Sequence, residues 1–333
     1  MKNMKRALLV SAASLNLAAM PAFADLVSLG HIEEVAAYVQ PASADELLFC
    51  TGGTGGAYFR HMAAVAGFVE AYATQPNFAA PIADASPVPG GGTYGCLQKL
   101  ANGDVDVAAI QMDGRALLKE ISPALMAELD STGAFLTEEV LTFCSRSNDI
   151  ENFGELESSS VTVAVAGGAV SGTNVMLNNL TSFDSDFGLP AYVYMENKNN
   201  DPKFDALDAA LDEVASGDAD CAVAVMDINS ASVAAADVKY GSQVRLVGTW
   251  DQQFRGLQFK DEQVYGWRAI PENTPGVQHF LDWDGDNGHG TWAPEVATLS
   301  AIVVYREGLQ TELVDLIKAA VLDAADLKDD VQQ

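Results

Sequence analysis

The sequence predicts an α/β protein made of two similar lobes, and an internal repeat is the main reason. Residues 100–113 (LANGDVDVAAIQMD) recur as residues 214–227 (VASGDADCAVAVMD), with seven of fourteen positions identical. In each copy a helical pattern ends at a glycine, Gly103 or Gly217, which accepts the left-handed conformation that closes a helix. An apolar run too short for a helix follows at once, so each copy reads as a helix entering a buried strand. A second echo lies upstream. The apolar run 47–50 leads into the glycine loop 51–56, and the run 161–166 leads into the loop 167–173. Each half is therefore a β-α-β-α-β unit. Such units form parallel sheets and place ligands outside the carboxyl ends of their strands. Two units facing one another imply a cleft between them.

Taken in order, residues 1–24 read as a secretory signal peptide. Lys2, Lys5 and Arg6 precede an apolar stretch, and Ala22 and Ala24 form a small-x-small cleavage site, so cleavage is expected after Ala24. Residues 25–45 form a lead-in with helical character at 32–38. The first lobe's helix is expected over 57–73, with Phe59, Met62, Ala66, Val69 and Ala73 on one face. Residues 81–92, rich in Pro and Gly, connect to a helix carrying Leu97 and Leu100. A strand at 141–145 and a polar crossover at 146–152 lead to the second lobe. There Thr173, Met176, Leu177 and Leu180 mark one helix face, and another helix spans about 204–215. A strand at 244–248 carries the chain back, and a strand at 298–305 and a helix at 311–327 dock on the first lobe. The expected division is 25–146 with 248–333 as lobe one and 147–247 as lobe two, the sheets joined by a two-strand hinge.

Charge excludes some partners. The net formal charge is −28, and removing the leader takes three basic residues and no acid, leaving −31. A protein this acidic repels nucleic acid and anionic lipid. The hydrophobic fraction of 49% is ample for two cores. Cys50, Cys96, Cys144 and Cys221 allow three full pairings, all open in an exported protein. Cys50 with Cys96 is preferred, because a strand end and the first turn of the next helix both lie near the cleft end of one lobe. No cysteine or histidine spacing suggests zinc.

The glycine loop TGGTGG at 51–56 lacks the Lys-Ser/Thr ending of a phosphate-binding P-loop, and Tyr58 stands where a dinucleotide fingerprint needs its third glycine. What remains is a loop exposing backbone N–H groups at a helix N-terminus, a device that attracts an anion. Two such loops in equivalent places would aim at one central volume. A small carboxylate there would receive donors from Thr51, Thr54, Ser171 and Thr173. Gln111 ends an otherwise buried strand and needs a polar partner. Arg60, in the first turns of its helix, either reaches into the cleft to offer a two-pronged guanidinium contact to an anion or lies on the helix's outer face and pairs with a surface acid, one residue of helix phase deciding between them.

These residues resemble a known family. The segment TGGTGGAYF at 51–59, the motif GDVDVAAIQMD ending at Asp113 and the loop GAVSGT at 168–173 look like the TAXI group of solute-binding proteins, the extracytoplasmic receptors of tripartite ATP-independent periplasmic (TRAP) transporters. The resemblance covers residues 47–227, and the segment EVATL at 295–299 also fits. It implies a type II periplasmic-binding-protein fold. It further implies closure on a small organic acid or an amino acid such as glutamate, and delivery to TRAP permease subunits by a periplasmic monomer without cofactor. Carried over, Thr51, Gly52, Thr54, Tyr58, Gln111, Ser171, Gly172 and Thr173 fall at the cleft. The chain departs from the family at Arg60, where proline is usual.

Other chemistries have less support. The segment 282–288 (DWDGDNG) begins like a calcium loop, but Asn287 replaces the turn glycine and Ala293 the bidentate glutamate. A hydrolase reading would pair Ser171 with His61, His279 or His289, yet no GxSxG elbow is present. An enzyme is not expected. A secreted sensor serving a receptor kinase would share every residue named for the binding protein.

Overall fold

In the computed structural model the described residues are 46–52, 57–76, 82, 84–121, 123–124, 129–157, 160–168, 171–183, 192–195, 206–249, 252–259, 262–281, 293–306 and 308–331. The signal peptide, the 32–38 helix, Thr54, His289 and the acidic loop at 282–288 lie outside them.

The first repeat unit runs β1 (Glu46–Thr51), α1 (Ala57–Ala73), β2 (Asp84–Pro89), α2 (Thr93–Asn102), β3 (Val107–Gln111), followed by α3 (Met112–Ile121). A long strand, β4 (Leu129–Ser145), leads through a 3-10 turn (Phe153–Glu157) to the second unit: β5 (Val163–Ala166), α4 (Gly172–Phe183), β6 (Tyr192–Met195), α5 (Ala206–Ser216), β7 (Cys221–Met226). Then come α6 (Ala231–Tyr240), β8 (Val244–Val247), α7 (Gln252–Gly256), β9 (Gln258–Phe259), β10 (Glu262–Gln263), β11 (Tyr265–Ala269), α8 (Gln278–Leu281), β12 (Glu295–Arg306) and α9 (Thr311–Val331).

Both halves have the β-α-β-α-β form read from the sequence, and their strand orders match. β1 lies between β2 and β3, parallel to both, and β5 lies between β6 and β7 in the same way. Gly103 and Gly217 are in the left-handed region, with φ of 75° and 84°, and the Gly103 N–H bonds back to the Leu100 carbonyl. β3 and β5 are buried along their whole length, as expected of strands covered by helices on both faces.

The two sheets are continuous, because strands are shared. The order is β2-β1-β3-β12-β4-β7-β5-β6, with β11 added to β12 and β8 to β4. β12 pairs antiparallel with β3 and with the first part of β4, from Leu129 to Glu139. The second part of β4, from Glu139 to Cys144, pairs with β7. The expected strand at 141–145 is thus only the end of a 17-residue strand. Its first part escapes the periodicity because Asp130, Gly133, Glu138 and Glu139 interrupt the apolar pattern. The chain crosses between the repeat units inside β4, at Glu138–Glu139, upstream of the polar segment read as the crossover.

Among the described residues three apolar clusters fill the interior. One, around Phe49, Met62, Val69 and Leu316, lies where α1 and α9 cover the first unit. Another, around Phe143, Leu211, Tyr240 and Phe280, lies under α5 and α6. The third runs between them and includes both disulfides. On α1 the buried stripe is Tyr58, Met62, Val65, Ala66 and Val69, while Phe59 and Ala73 are only half-buried; Met62, Ala66 and Val69 fall on the face as expected, and Tyr58 and Val65 take the places of Phe59 and Ala73. On α4 the face Thr173, Met176, Leu177, Leu180 is buried as read. Cys50 is bonded to Cys96, the preferred pairing, and Cys144 to Cys221. The second bond joins directly opposed residues of β4 and β7.

Candidate functional site

The repeat unit brings its own strand ends to one place. A cleft of about 210 Å3 is lined from the first half by Gly52, Tyr58, Arg60, Gly92, Gln111 and Glu138, and from the second by Val225, Met226, Asp227, Ser230, Ala231 and Ser232. Gln111 and Val225 are equivalent positions of the repeat, so the two halves face each other through the same feature of their folds. The volume is below the ~300–1,000 Å3 of pockets for drug-sized molecules and suits a small metabolite.

Glu138 is the chemical centre of this cleft. Two donors reach its Oε2: the Tyr58 hydroxyl at 2.6 Å and the Gln111 Nε2 at 3.1 Å. Burial pushes its carboxyl up to about 8, against the lowering effect of those two bonds, with Asp113 and Glu139 adding to the rise. The cleft therefore holds a largely protonated carboxyl at neutral pH. Burial, then the neighbouring Glu138, also raises the Tyr58 phenol well above its usual value. The side-chain oxygen of Gln111 is buried and accepts no hydrogen bond from the described residues, which leaves an acceptor beside the cleft that a bound molecule could satisfy.

Glu139, the next residue, points to the opposite face of β4, as strand alternation requires. It accepts a 2.7 Å bond from Arg268 Nη1 and a 2.9 Å bond from the Ile228 N–H. The Ile228 contact fixes the turn that carries Asp227 and Ser230 into the cleft. Ser230 caps α6 by accepting from Val233 N. The last residues of the repeat have diverged. Asp227 lines the cleft, whereas Asp113 lies inside, accepting from the Tyr265 hydroxyl at 2.7 Å while its carbonyl accepts from Asn179. Burial raises the Asp113 carboxyl to about 7.

Of the residues expected at the site, Gly52, Tyr58, Arg60 and Gln111 line the cleft, with Arg60 exposed. Gly172 packs against the Gln111 amide. The other hydroxyls have local partners. Thr51 Oγ1 donates to the Gly52 carbonyl. Ser171 Oγ caps α4 by accepting from Asn174 N. Thr173 Oγ1 accepts from Val225 N at the edge of β7. Thr54 is outside the described residues. Glu138 and Ser230 were not singled out in the sequence. The available signal for Glu138 was a pair of consecutive acids running straight into an apolar strand, which forces one onto each face.

Among the described residues no group of three His, Cys, Asp or Glu side chains could hold a metal ion, and no helix is long and apolar enough to cross a membrane. His279 bonds Asp237 at 2.8 Å, and the Ser171 hydroxyl serves as the helix cap.

No family model matches the sequence, and no curated protein matches it. Solved structures that align with most of the chain include an ancestral arginine-binding protein bound to glutamine, at 14% identity and a TM-score of 0.45 over 84% of this chain and 92% of that one. XAC2383 from Xanthomonas citri bound to ATP aligns at 12% and 0.48, over 84% and 83%. The substrate binding protein of an amino acid ABC transporter aligns at 12% and 0.45, over 85% and 94%. At such values these likenesses say nothing of the ligand or partner of this chain.

Proposed function

We propose that this chain is an extracytoplasmic solute-binding protein that captures a small organic anion or amino acid, glutamate-like or a dicarboxylate, in the cleft between its two repeat units. The observation that carries the reading is the cleft itself. Equivalent strand ends of two β-α-β-α-β units line it, and a buried acceptor with no partner among the described residues, the Gln111 side-chain oxygen, stands in its wall. The more specific reading is a TAXI-type receptor, exported with cleavage after Ala24, acting as a monomer without cofactor and delivering its solute to a TRAP-type permease. The motifs at 51–59, 103–113 and 168–173 support it. In this reading residues 25–146 and 248–333 form one lobe and 147–247 the other, with the end of β4 from Glu139 on running into the second lobe's sheet.

The test is mass spectrometry of small molecules released on denaturing the exported protein, followed by calorimetry with each molecule found. Recovery and rebinding of a small acid or amino acid is the expected result. Protein that carries nothing, and binds no member of a panel of amino acids and organic acids, would refute the reading. Copurification of membrane-embedded permease subunits with the loaded protein tests the transport partner separately.

A further inference from the structure

Gly172 is the first residue of α4, and its φ is not in the left-handed region. Backbone conformation is therefore not what calls for glycine there. The reason is space: a Cβ on Gly172 would stand 2.5 Å from both Cδ and Oε1 of Gln111, closer still to Nε2. The amide of Gln111, only 3% exposed, is thus pressed between the second unit's helix and the Glu138 carboxyl of the first. Its Nε2 is committed to Glu138, and its Oε1 has no hydrogen-bond partner among the described residues.

We infer that Gln111 is a positioning residue that ties the Glu138 carboxyl of the first unit to the approach of α4 from the second, and that Gly172 is the gap that admits it. The Gln111 amide ends a flexible side chain, so a methyl at position 172 displaces the amide rather than the helix. Glu138 then loses one of its two donors. That donor favours the charged carboxylate, so its loss moves the titration of Glu138 upward. The groups acting on Glu138 are Tyr58 from α1, Gln111 from β3, Asp113 at the start of α3, and Glu139 beside it on β4. Arg60 and Asp227 line the same cleft. Spacing between the units and the protonation of the cleft are linked through one amide.

The test needs no ligand. The carboxyl carbon of Glu138 is followed by nuclear magnetic resonance from pH 5 to 10 in glutamate-labelled protein, the signal being assigned by its loss in Glu138→Gln. Gly172→Ala is expected to raise the midpoint by about one unit, the size of one lost hydrogen bond to a charged group. Gln111→Ala is expected to raise it as much, and adding Gly172→Ala to Gln111→Ala is expected to change nothing further. An unchanged midpoint in Gly172→Ala, or equal shifts with and without Gln111, overturns the inference. If Gly172→Ala fails to fold, rescue of folding in the double variant supports it, and failure of both overturns it.

Discussion

Glu138 and Asp113 make this protein's stability depend on pH in an unusual direction. An acid whose folded-state value is raised binds its proton more tightly folded than unfolded, so folding is favoured at low pH. That advantage is complete below the ordinary carboxylate range. It is lost as pH rises, through about 7 for Asp113 and about 8 for Glu138. The melting temperature should therefore fall between about pH 5 and pH 8.5, and Glu138→Gln, which keeps the shape without the charge, should flatten the upper part of that fall. A melting profile unchanged by Glu138→Gln would show that the carboxyl is charged throughout. Arg60 is the one basic residue among the described residues that line the cleft. If it meets a bound carboxylate in two-pronged fashion, Arg60→Ala costs on the order of 2 kcal/mol of binding by calorimetry; a loss of a few tenths would mean it stays in solvent. The sequence pointed to Gln111 because a polar residue ending a buried strand is anomalous. It did not single out Glu138, because the pair of acids before the apolar run reads as the polar end of a strand until β4 is known to begin well before it.

The longer helices and the inner parallel strands were legible because their signals are local, whereas the edge strand β2 lies inside the segment read as a Pro- and Gly-rich connection, and β6, α3 and α6 were not read. α1 spans the residues expected, and Gly103 and Gly217 close their helices as left-handed glycines. The centre of the α1 stripe, Met62, Ala66 and Val69, is buried as the periodicity implies, and its first position differs, since Tyr58 turns inward to reach Glu138 while Phe59 does not. The antiparallel strands were harder. β4 and β12 are defined by each other, across more than 150 residues of sequence, and their charged positions hide the alternation. The disulfides sit at the junctions of these elements. They close loops with separations of 46 and 77 residues, each contributing about 4 kcal/mol through the unfolded state. Thiol counting on denatured, unreduced protein should find no free thiol among the four cysteines. Reduction should lower the denaturant midpoint, and Cys144→Ser with Cys221→Ser should account for about half of that loss.

For the whole molecule, the proposed closure predicts a smaller radius of gyration by small-angle scattering when the solute identified by mass spectrometry is added; an unchanged radius at saturation argues against it. How the units can move is limited by what joins them. Glu139 is paired with Thr298 of β12 and with Met226 of β7, so one residue belongs to the ladders of both units, and Arg268 and Ile228 hold its side chain. Motion at this crossing must come from changing the twist of continuous β-structure, because no loop lies there. The same feature bears on how the molecule comes apart. Neither unit can melt without stripping hydrogen bonds from a strand that the other unit needs, so the free energy cannot be divided between them. Scanning calorimetry should show one transition, with calorimetric and van't Hoff enthalpies in agreement. Two resolved peaks would mean that the shared strand fails before either core does.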